Sequence, residues 1–205
     1  MRFSTLTGSL YRGLSLTLCA AVVAAVSLFA QQKAQEMAID TQRSTITIHV
    51  GKSGLLSAAA HEHTIDAPIS SGTIRESTAP HIEFTVETAK MTVRTDPKFD
   101  AKTQATIQTD MEEMTLETKK FPEITFRSSR IEKVADGQWK VDGDLSLHGV
   151  SKPVSLTVKQ TGNSYTTHTV LKQTDFGIKP ISVGGGMIKV KNEVEIDFQI
   201  FPRKA

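Results

Sequence analysis

The sequence predicts an all-β fold, an antiparallel barrel or sandwich of about eight strands with one amphipathic helix. Three observations predict it. Apolar and polar residues alternate with a period of two over several stretches, which marks strands with one dry and one wet face. Turn signals divide those stretches at intervals of roughly 10–15 residues. Residues 100–116 alone carry a clear helical period.

Taken in chain order, the first segment is not part of that fold. The first thirty residues contain Arg2 and Arg12 and no acid, and residues 14–30 are 17 in a row without charge. A basic start, an apolar run and the small Ala30 before Gln31-Gln32-Lys33 describe a secretory signal peptide cleaved after Ala30. The run is shorter than the ~20 residues that span a bilayer comfortably. The single cysteine, Cys19, lies inside it. The domain left after cleavage therefore has no disulfide, no thiolate ligand and no cysteine nucleophile. Residues 31–37 read as a short polar linker and residues 38–205 as one barrel domain; the roughly 175 residues left after cleavage are long enough to bury a single core.

Charge follows the same division. The whole chain carries a formal +2, but without the two leader arginines 22 basic residues face 22 acidic ones. A neutral domain argues against nucleic acid as the main partner, since phosphate binding needs a basic face.

The strands come next. Thr45-Ile46-Thr47-Ile48-His49-Val50, His81-Ile82-Glu83-Phe84-Thr85-Val86-Glu87 and Val154-Ser155-Leu156-Thr157-Val158 alternate strictly. Glu193-Val194-Glu195-Ile196-Asp197-Phe198-Gln199-Ile200 sets four polar residues against four large hydrophobes. The β-branched enrichment suits a pleated surface. Residues 123–134, 139–148 and 165–174 are further strand candidates. Asp136-Gly137, His148-Gly149, Gly162-Asn163 and Gly184-Gly185-Gly186 supply turns. Between Pro97 and Pro122, Ile107, Met111 and Met114 recur at spacings of four and three, which predicts the helix. A shorter helical turn is expected at residues 54–60. Helices laid over a barrel commonly close one end.

Several segments then carry a resemblance. Lys120-Phe121-Pro122-Glu123-Ile124-Thr125-Phe126-Arg127-Ser128 resembles the "K-(Y/F)-P-x-I-x-F-x-S" segment of the YceI-like family. Val141-Asp142-Gly143-Asp144-Leu145-Ser146-Leu147-His148-Gly149-Val150-Ser151-Lys152-Pro153-Val154 resembles that family's "v-x-G-x-L-t-l-h-G-v-t-k-x-v" segment. Asp175-Phe176-Gly177-Ile178 and the strand at 193–201 resemble its carboxy-terminal end. Order and spacing are kept over residues 38–201. The resemblance implies an extended, lipocalin-like antiparallel β-barrel with a helix over it. It also implies a periplasmic or secreted protein, with some members binding long apolar molecules such as polyisoprenoids or fatty amides. The chain departs from the family pattern at Gln173-Thr174 and at residues 110–116, near the expected mouth, so ligand identity is not carried over.

The candidate site is the barrel interior. Ile82, Phe84, Phe126, Leu145, Leu147, Leu156, Ile196 and Phe198 are expected to line it, with Phe176 plugging the core. Met111, Met114 and Met187 would add thioethers that follow a flexible chain. The competing expectation is a barrel filled by its own side chains. His61-Glu62-His63 offers a second constellation. An H-x-H pair in a strand puts both rings on one side, two of the ligands a zinc or copper site needs. His148 is a third candidate, and Glu62 or Asp66 a carboxylate. His49, His81 and His168 fall on polar faces and are expected to be solvated.

Asp175-Phe176-Gly177 lacks the other kinase motifs, and the glycine triplet lacks the Lys-Ser/Thr and helix of a phosphate loop. No nucleophile motif joins Ser, His and Asp. The sequence thus predicts a non-enzymatic, cofactor-free, periplasmic or secreted protein. It would hold a polyisoprenoid, quinone or fatty-acid-like lipid, with no nucleic-acid partner and no stable membrane insertion after cleavage. A homodimer is compatible with the sequence. The rival is a metal- or haem-binding protein using His61, His63 and His148.

Overall fold

Twelve strand segments form a single antiparallel sheet in the computed structural model, which describes residues 36–54, 62–183, 185 and 187–203. They are β1 (Glu36–Ala38), β2 (Thr45–Ser53), β3 (His63–Asp66), β4 (Ile69–Arg75), β5 (His81–Glu87) and β6 (Thr92–Val93). After the helix α1 (Ala101–Asp110) come β7 (Glu123–Ala135), β8 (Gln138–Leu147), β9 (Val150–Thr161), β10 (Ser164–Lys172), β11 (Ser182–Val183) and β12 (Ile188–Ile200). The signal peptide, residues 55–60 of the helical turn expected at 54–60, and His61 lie outside the described residues.

The count exceeds the eight expected because three strands are bent. β4 pairs with β1 and β5, while β3, two residues earlier in the chain, pairs with β2 and β6. Thus β1/β2, β3/β4 and β5/β6 are each one run broken at a corner, and the sheet has eight runs plus the short β11. Each corner has a cause. Asp40 accepts the Gln42 and Arg43 amides and turns the chain between β1 and β2. Pro68, which cannot donate to a ladder, separates β3 from β4. A one-turn 3₁₀ helix, Thr88–Lys90, separates β5 from β6. These corners carry little alternation, so β1, β3, β4, β6 and β11 were not legible as strands.

The ring closes through β12, which pairs with β10 along one edge and with β2 along the other. A bridge between Ile39 and Pro202 extends the closure. Closure satisfies backbone groups that an open edge would expose. The strongest alternation is realised as expected: Glu193, Glu195, Asp197 and Gln199 point out, and Val194, Ile196, Phe198 and Ile200 point in.

α1 starts at an Asp100 cap, whose carboxylate accepts the Thr103 amide at 2.7 Å. Its last turn, Met111–Thr115, is wound as a π-helix, with the Leu116 amide donating to Met111 O at 2.9 Å. This wider turn corrects the reading of Met114. A regular helix would carry Met111 and Met114 on one face, but i→i+5 winding delays the phase. Met111 is buried, Met114 is 65% exposed and Leu116 takes its place inside.

Candidate ligand-binding interior

Inward-facing side chains of the eight runs do not fill the barrel. Leu145, Leu147, Leu156 and Phe198 face inward yet stay only half-buried, because the space in front of them is hollow. The hollow comprises two chambers. The helix-side chamber, about 270 Å³, is lined by residues including Ile46, Ile48, Ile65, Val86, Val93, Ile107 and Val194. The far chamber, about 210 Å³, is lined by residues including Ile74, Ile131, Trp139, Val141, Val154 and Val158. Phe84, Leu145, Leu171 and Phe198 line both and form a waist between them.

Ten of the twelve residues predicted for the lining face these chambers. Met111, Leu147, Phe176 and Ile196 line the helix-side chamber. Ile82, Phe126 and Leu156 line the far chamber, and Phe84, Leu145 and Phe198 line both. Met114 and Met187 do not. Met114 is turned out by the π-winding, and Met187, in the turn before β12, is 46% exposed. Phe176 is 2% exposed, and Gly177 after it adopts φ 74°, a left-handed bend that favours glycine.

Each chamber also meets polar groups. His63, Asp110, Thr115, Lys172 and Gln173 border the helix-side chamber. In the far chamber Tyr165 donates a short hydrogen bond to Glu76 and accepts one from Gln160 Nε2 at 3.2 Å. Burial, reinforced by the Glu76 carboxylate, pushes the Tyr165 hydroxyl well above its usual range, so it stays a neutral donor. Trp139, Tyr165 and Glu76 were not predicted as site residues. Trp139 was within reach, since it shares the inward parity of Leu145; the Tyr165–Glu76 contact joins residues 89 apart and leaves no sequence signal.

The histidines need two corrections. His81 is not solvated: its side chain is 15% exposed, its Nδ1 lies 3.0 Å from Ser128 Oγ, and its Nε2 lies 3.3 Å from Glu83. This Ser-His-Glu chain was not foreseen. Ser128 Oγ already accepts the Ile82 amide at 3.0 Å and does not line the chamber, so the chain fastens β5 to β7. His49 and His168 do lie on the outer face, both bonded to Asp197. The metal rival gains no support. Among the described residues no group of three or more His, Cys, Asp or Glu is assembled that would hold a metal. His63 instead stands 5.9 Å from the Phe99 ring.

His148 has a different task. With φ 53° at His148 and 76° at Gly149, the β8–β9 hairpin turns through two left-handed residues, as a type I′ turn requires. The His148 ring packs tilted against Phe121, with centroids 4.2 Å apart and planes at 49°, and its Nε2 lies 3.3 Å from Glu117. A Cβ on Gly149 would come within 2.6 Å of Phe121 Cε1. Phe121 is held in turn by Thr88, whose hydroxyl donates to Phe121 O at 2.9 Å. The Lys-Phe-Pro and Leu-His-Gly segments are therefore two sides of one contact.

A closed, hollow, antiparallel eight-run barrel with a helix against one chamber is a lipocalin-like barrel. Within that class the chain belongs to the YceI-like family, whose domain model matches residues 37–201. A UPF0312 protein of Pseudomonas putida strain W619 is 35% identical over 74 residues, 31% of this chain and 38% of that protein. A UPF0312 protein of Shewanella baltica strain OS155 is 32% identical over 74 residues, 31% of this chain and 39% of that protein. The matched region thus spans under two fifths of each curated relative. Two solved structures share the fold at low identity. BcnA of Burkholderia cenocepacia superposes with TM-score 0.59 at 17% identity, covering 80% of this chain and 99% of that one. A polyisoprenoid binding domain from Saccharophagus degradans, implicated in plant cell wall breakdown, superposes with TM-score 0.56 at 15% identity, covering 84% and 100%.

Proposed function

We propose that this protein is an exported carrier that holds one long apolar molecule, a polyisoprenoid, quinone or fatty-acid-like lipid, along the barrel interior. The observation that carries the reading is the pair of apolar chambers meeting at the Phe84–Phe198 waist. Such a surface recognises hydrocarbon by burial alone. Each methylene taken from water is worth ~0.8 kcal/mol, so ten give about 8 kcal/mol before ordering costs, and a longer chain gives more. The polyisoprenoid binding domain with the same fold supports this ligand class.

Export rests on the leader, whose basic start and apolar run suit a cleaved signal and a periplasmic or secreted destination. The protein is read as a binder and not an enzyme because its interior lining is mostly hydrocarbon, and the Ser128-His81-Glu83 chain among the described residues is turned to structural use. Organic extraction of the protein purified from its native host, followed by mass spectrometry, should yield a stoichiometric apolar molecule. An empty extract together with refusal of every fluorescent lipid probe would overturn the reading. A mature amino terminus at Gln31 in an extracytoplasmic fraction is the expected mark of export; an intact leader in the cytoplasm would remove that part.

A further inference from the structure

The domain is neutral as a whole but not along its length. Residues 176–192 carry Lys179, Lys189 and Lys191 and no acid, while Asp175 and Glu193 bound the run. Lys52 joins them from β2, where it pairs with Val190 in register; Glu62 lies one strand further over, just before β3. Along the outer face of β12 the sign reverses, from Lys189 and Lys191 to Glu193, Glu195 and Asp197. The acids past that point are answered. Glu193 stands opposite Lys172 in register, and Asp197 is held by His49 and His168. Lys179, Lys189 and Lys191 are exposed and take part in no ion pair among the described residues. Other lysines are answered locally, as Lys133 is by Asp136 and Lys140 by Asp142. An apolar tip goes with the charge. Met187, in the turn between β11 and β12, is 46% exposed, and open space surrounds the position of a Cβ on Gly185. Val190, between the two β12 lysines, lines the helix-side chamber. One strand therefore shows the chamber an apolar face and shows solvent a basic one.

We propose that this end of the β2–β12–β11 sheet docks on an anionic lipid bilayer, with Met187 at the hydrocarbon boundary and the lysines among the lipid phosphates. The spacing suits that layering. A strand advances about 3.3 Å per residue, which puts Lys189 about 7 Å and Lys191 about 13 Å behind Met187. The headgroup layer of one leaflet is about 5–8 Å thick, so an apolar tip at its inner boundary sets Lys189 level with the phosphates. Each lysine near such a surface is worth about fivefold in affinity. A few lysines and one apolar side chain give a reversible attachment, far short of insertion. Docking brings the helix-side chamber up to the bilayer, because its wall is the other side of the docking strand. The inference goes beyond the carrier reading and does not depend on what the barrel holds.

The test measures flotation of the protein, purified from its native host so that the leader is in its natural state, with two kinds of vesicle. One is phosphatidylcholine alone; the other is three parts phosphatidylcholine to one part phosphatidylglycerol. At low salt the anionic vesicles should bind about a hundredfold more tightly, and the difference should vanish at about 0.5 M salt, where charges are screened. The double variant Lys189→Gln/Lys191→Gln should lose about twentyfold on anionic vesicles, two lysines at fivefold each. The control pair Lys152→Gln/Lys159→Gln, exposed on β9, should lose little. Met187→Ala keeps every charge and should lose about fivefold, the worth of one to two methylenes. Uptake of the probe N-phenylnaphthylamine should be the same in all these forms, which shows that the barrel is intact. Equal binding to both vesicles, a double Gln variant that still floats, or a β9 pair that loses as much would each overturn the docking surface. An unaltered affinity in Met187→Ala would overturn it too, by making the face a site for a soluble polyanion. Failure of every form to take up the probe would count against the carrier reading alone.

Discussion

Phe84 and Phe198 meet across the barrel with ring centroids 6.1 Å apart and planes inclined at 54°. They belong to β5 and β12, which are not neighbours in the sheet. Each packs beside a partner on its own wall, Phe84 against the Phe126 ring at 5.5 Å and Phe198 opposite Ile46 in register. The waist is therefore two rings reaching inward from opposite walls.

A larger ring at the waist should divide long ligands from short ones. Phe198→Trp adds volume where both chambers narrow, and overpacking of that kind costs about 1–3 kcal/mol. A probe long enough to occupy both chambers should lose roughly tenfold in affinity, and one short enough for a single chamber should lose little. Displacement titrations with a chain-length series check this. A uniform loss at all lengths would show that the waist does not separate the chambers.

Gly143 should be intolerant of any side chain. It occupies an inward position of β8, where a Cβ would sit 2.5 Å from Arg127 O and 2.7 Å from Phe126 Cζ. The Phe126 ring lies across the space a side chain would occupy. Gly143→Ala should destabilise by about 1–3 kcal/mol, since the nearest atom is backbone and cannot yield cheaply. Urea denaturation should show a lower midpoint with an unchanged slope. An unchanged midpoint would mean the strands can shift to make room.

How far the sequence reaches is shown by these same residues. The parity of Phe84, Phe198 and Leu145 was legible because a period of two along a long strand is a physical consequence of the pleat. The bent runs were not. Residues 63–75 pass through Ala67-Pro68 and Ser70-Ser71-Gly72, too short and polar a pattern on either side of the corner to register as strand. Met114 failed because periodicity assumes a regular helix, and the π-turn that expels it is a tertiary adjustment. The contact of His148 with Phe121 joins two recognisable segments, a pairing that only the fold shows.

The Asp66–Arg94 pair should make stability fall in acid. Arg94 grips both carboxylate oxygens of Asp66, at 2.6 Å from Nη2 and 2.9 Å from Nε, tying β3 to the segment after β6. The hydrogen bonds from Arg94 hold the Asp66 carboxyl below its ordinary value of 3.8. A depressed carboxyl binds fewer protons folded than unfolded. Its contribution is therefore fully present above about pH 5 and is lost as pH drops below 4 through the folded value. Both side chains are about half exposed, so screening limits the effect to about 0.5–1 kcal/mol. Asp66→Asn should cost that much at pH 7 and almost nothing at pH 2, in paired urea titrations. A gap that persists at pH 2 would assign the loss to packing instead of charge.

Gln108 should control how fast the helix-side chamber opens. Within Ala101–Asp110 no residue is fully buried; Ile107 packs part-buried against the core, and the first fully buried anchor is Met111 in the π-turn. The polar attachment of α1 is made by amide side chains. Gln108 Oε1 accepts the Val93 amide at 2.8 Å, and its Nε2 donates to Met91 O at 3.0 Å and to Glu112 at 2.6 Å. Gln104 Nε2 adds a weaker tie to Arg94 O at 3.2 Å. Ile107 and Met111, one residue before Gln108 and three after it, line the chamber, so whatever frees this turn also uncovers the cavity. Gln108→Ala leaves two β6-flanking backbone groups without their partner and should cost about 1–3 kcal/mol locally. On the carrier reading with this helix as the gate, association and dissociation should both quicken, by about tenfold per 1.4 kcal/mol, while the equilibrium affinity moves far less. Stopped-flow mixing of the loaded protein with an excess of competing vesicles measures the dissociation rate directly. A lowered melting temperature with an unaltered rate would show that the chain enters elsewhere, past the Tyr165 end of the barrel.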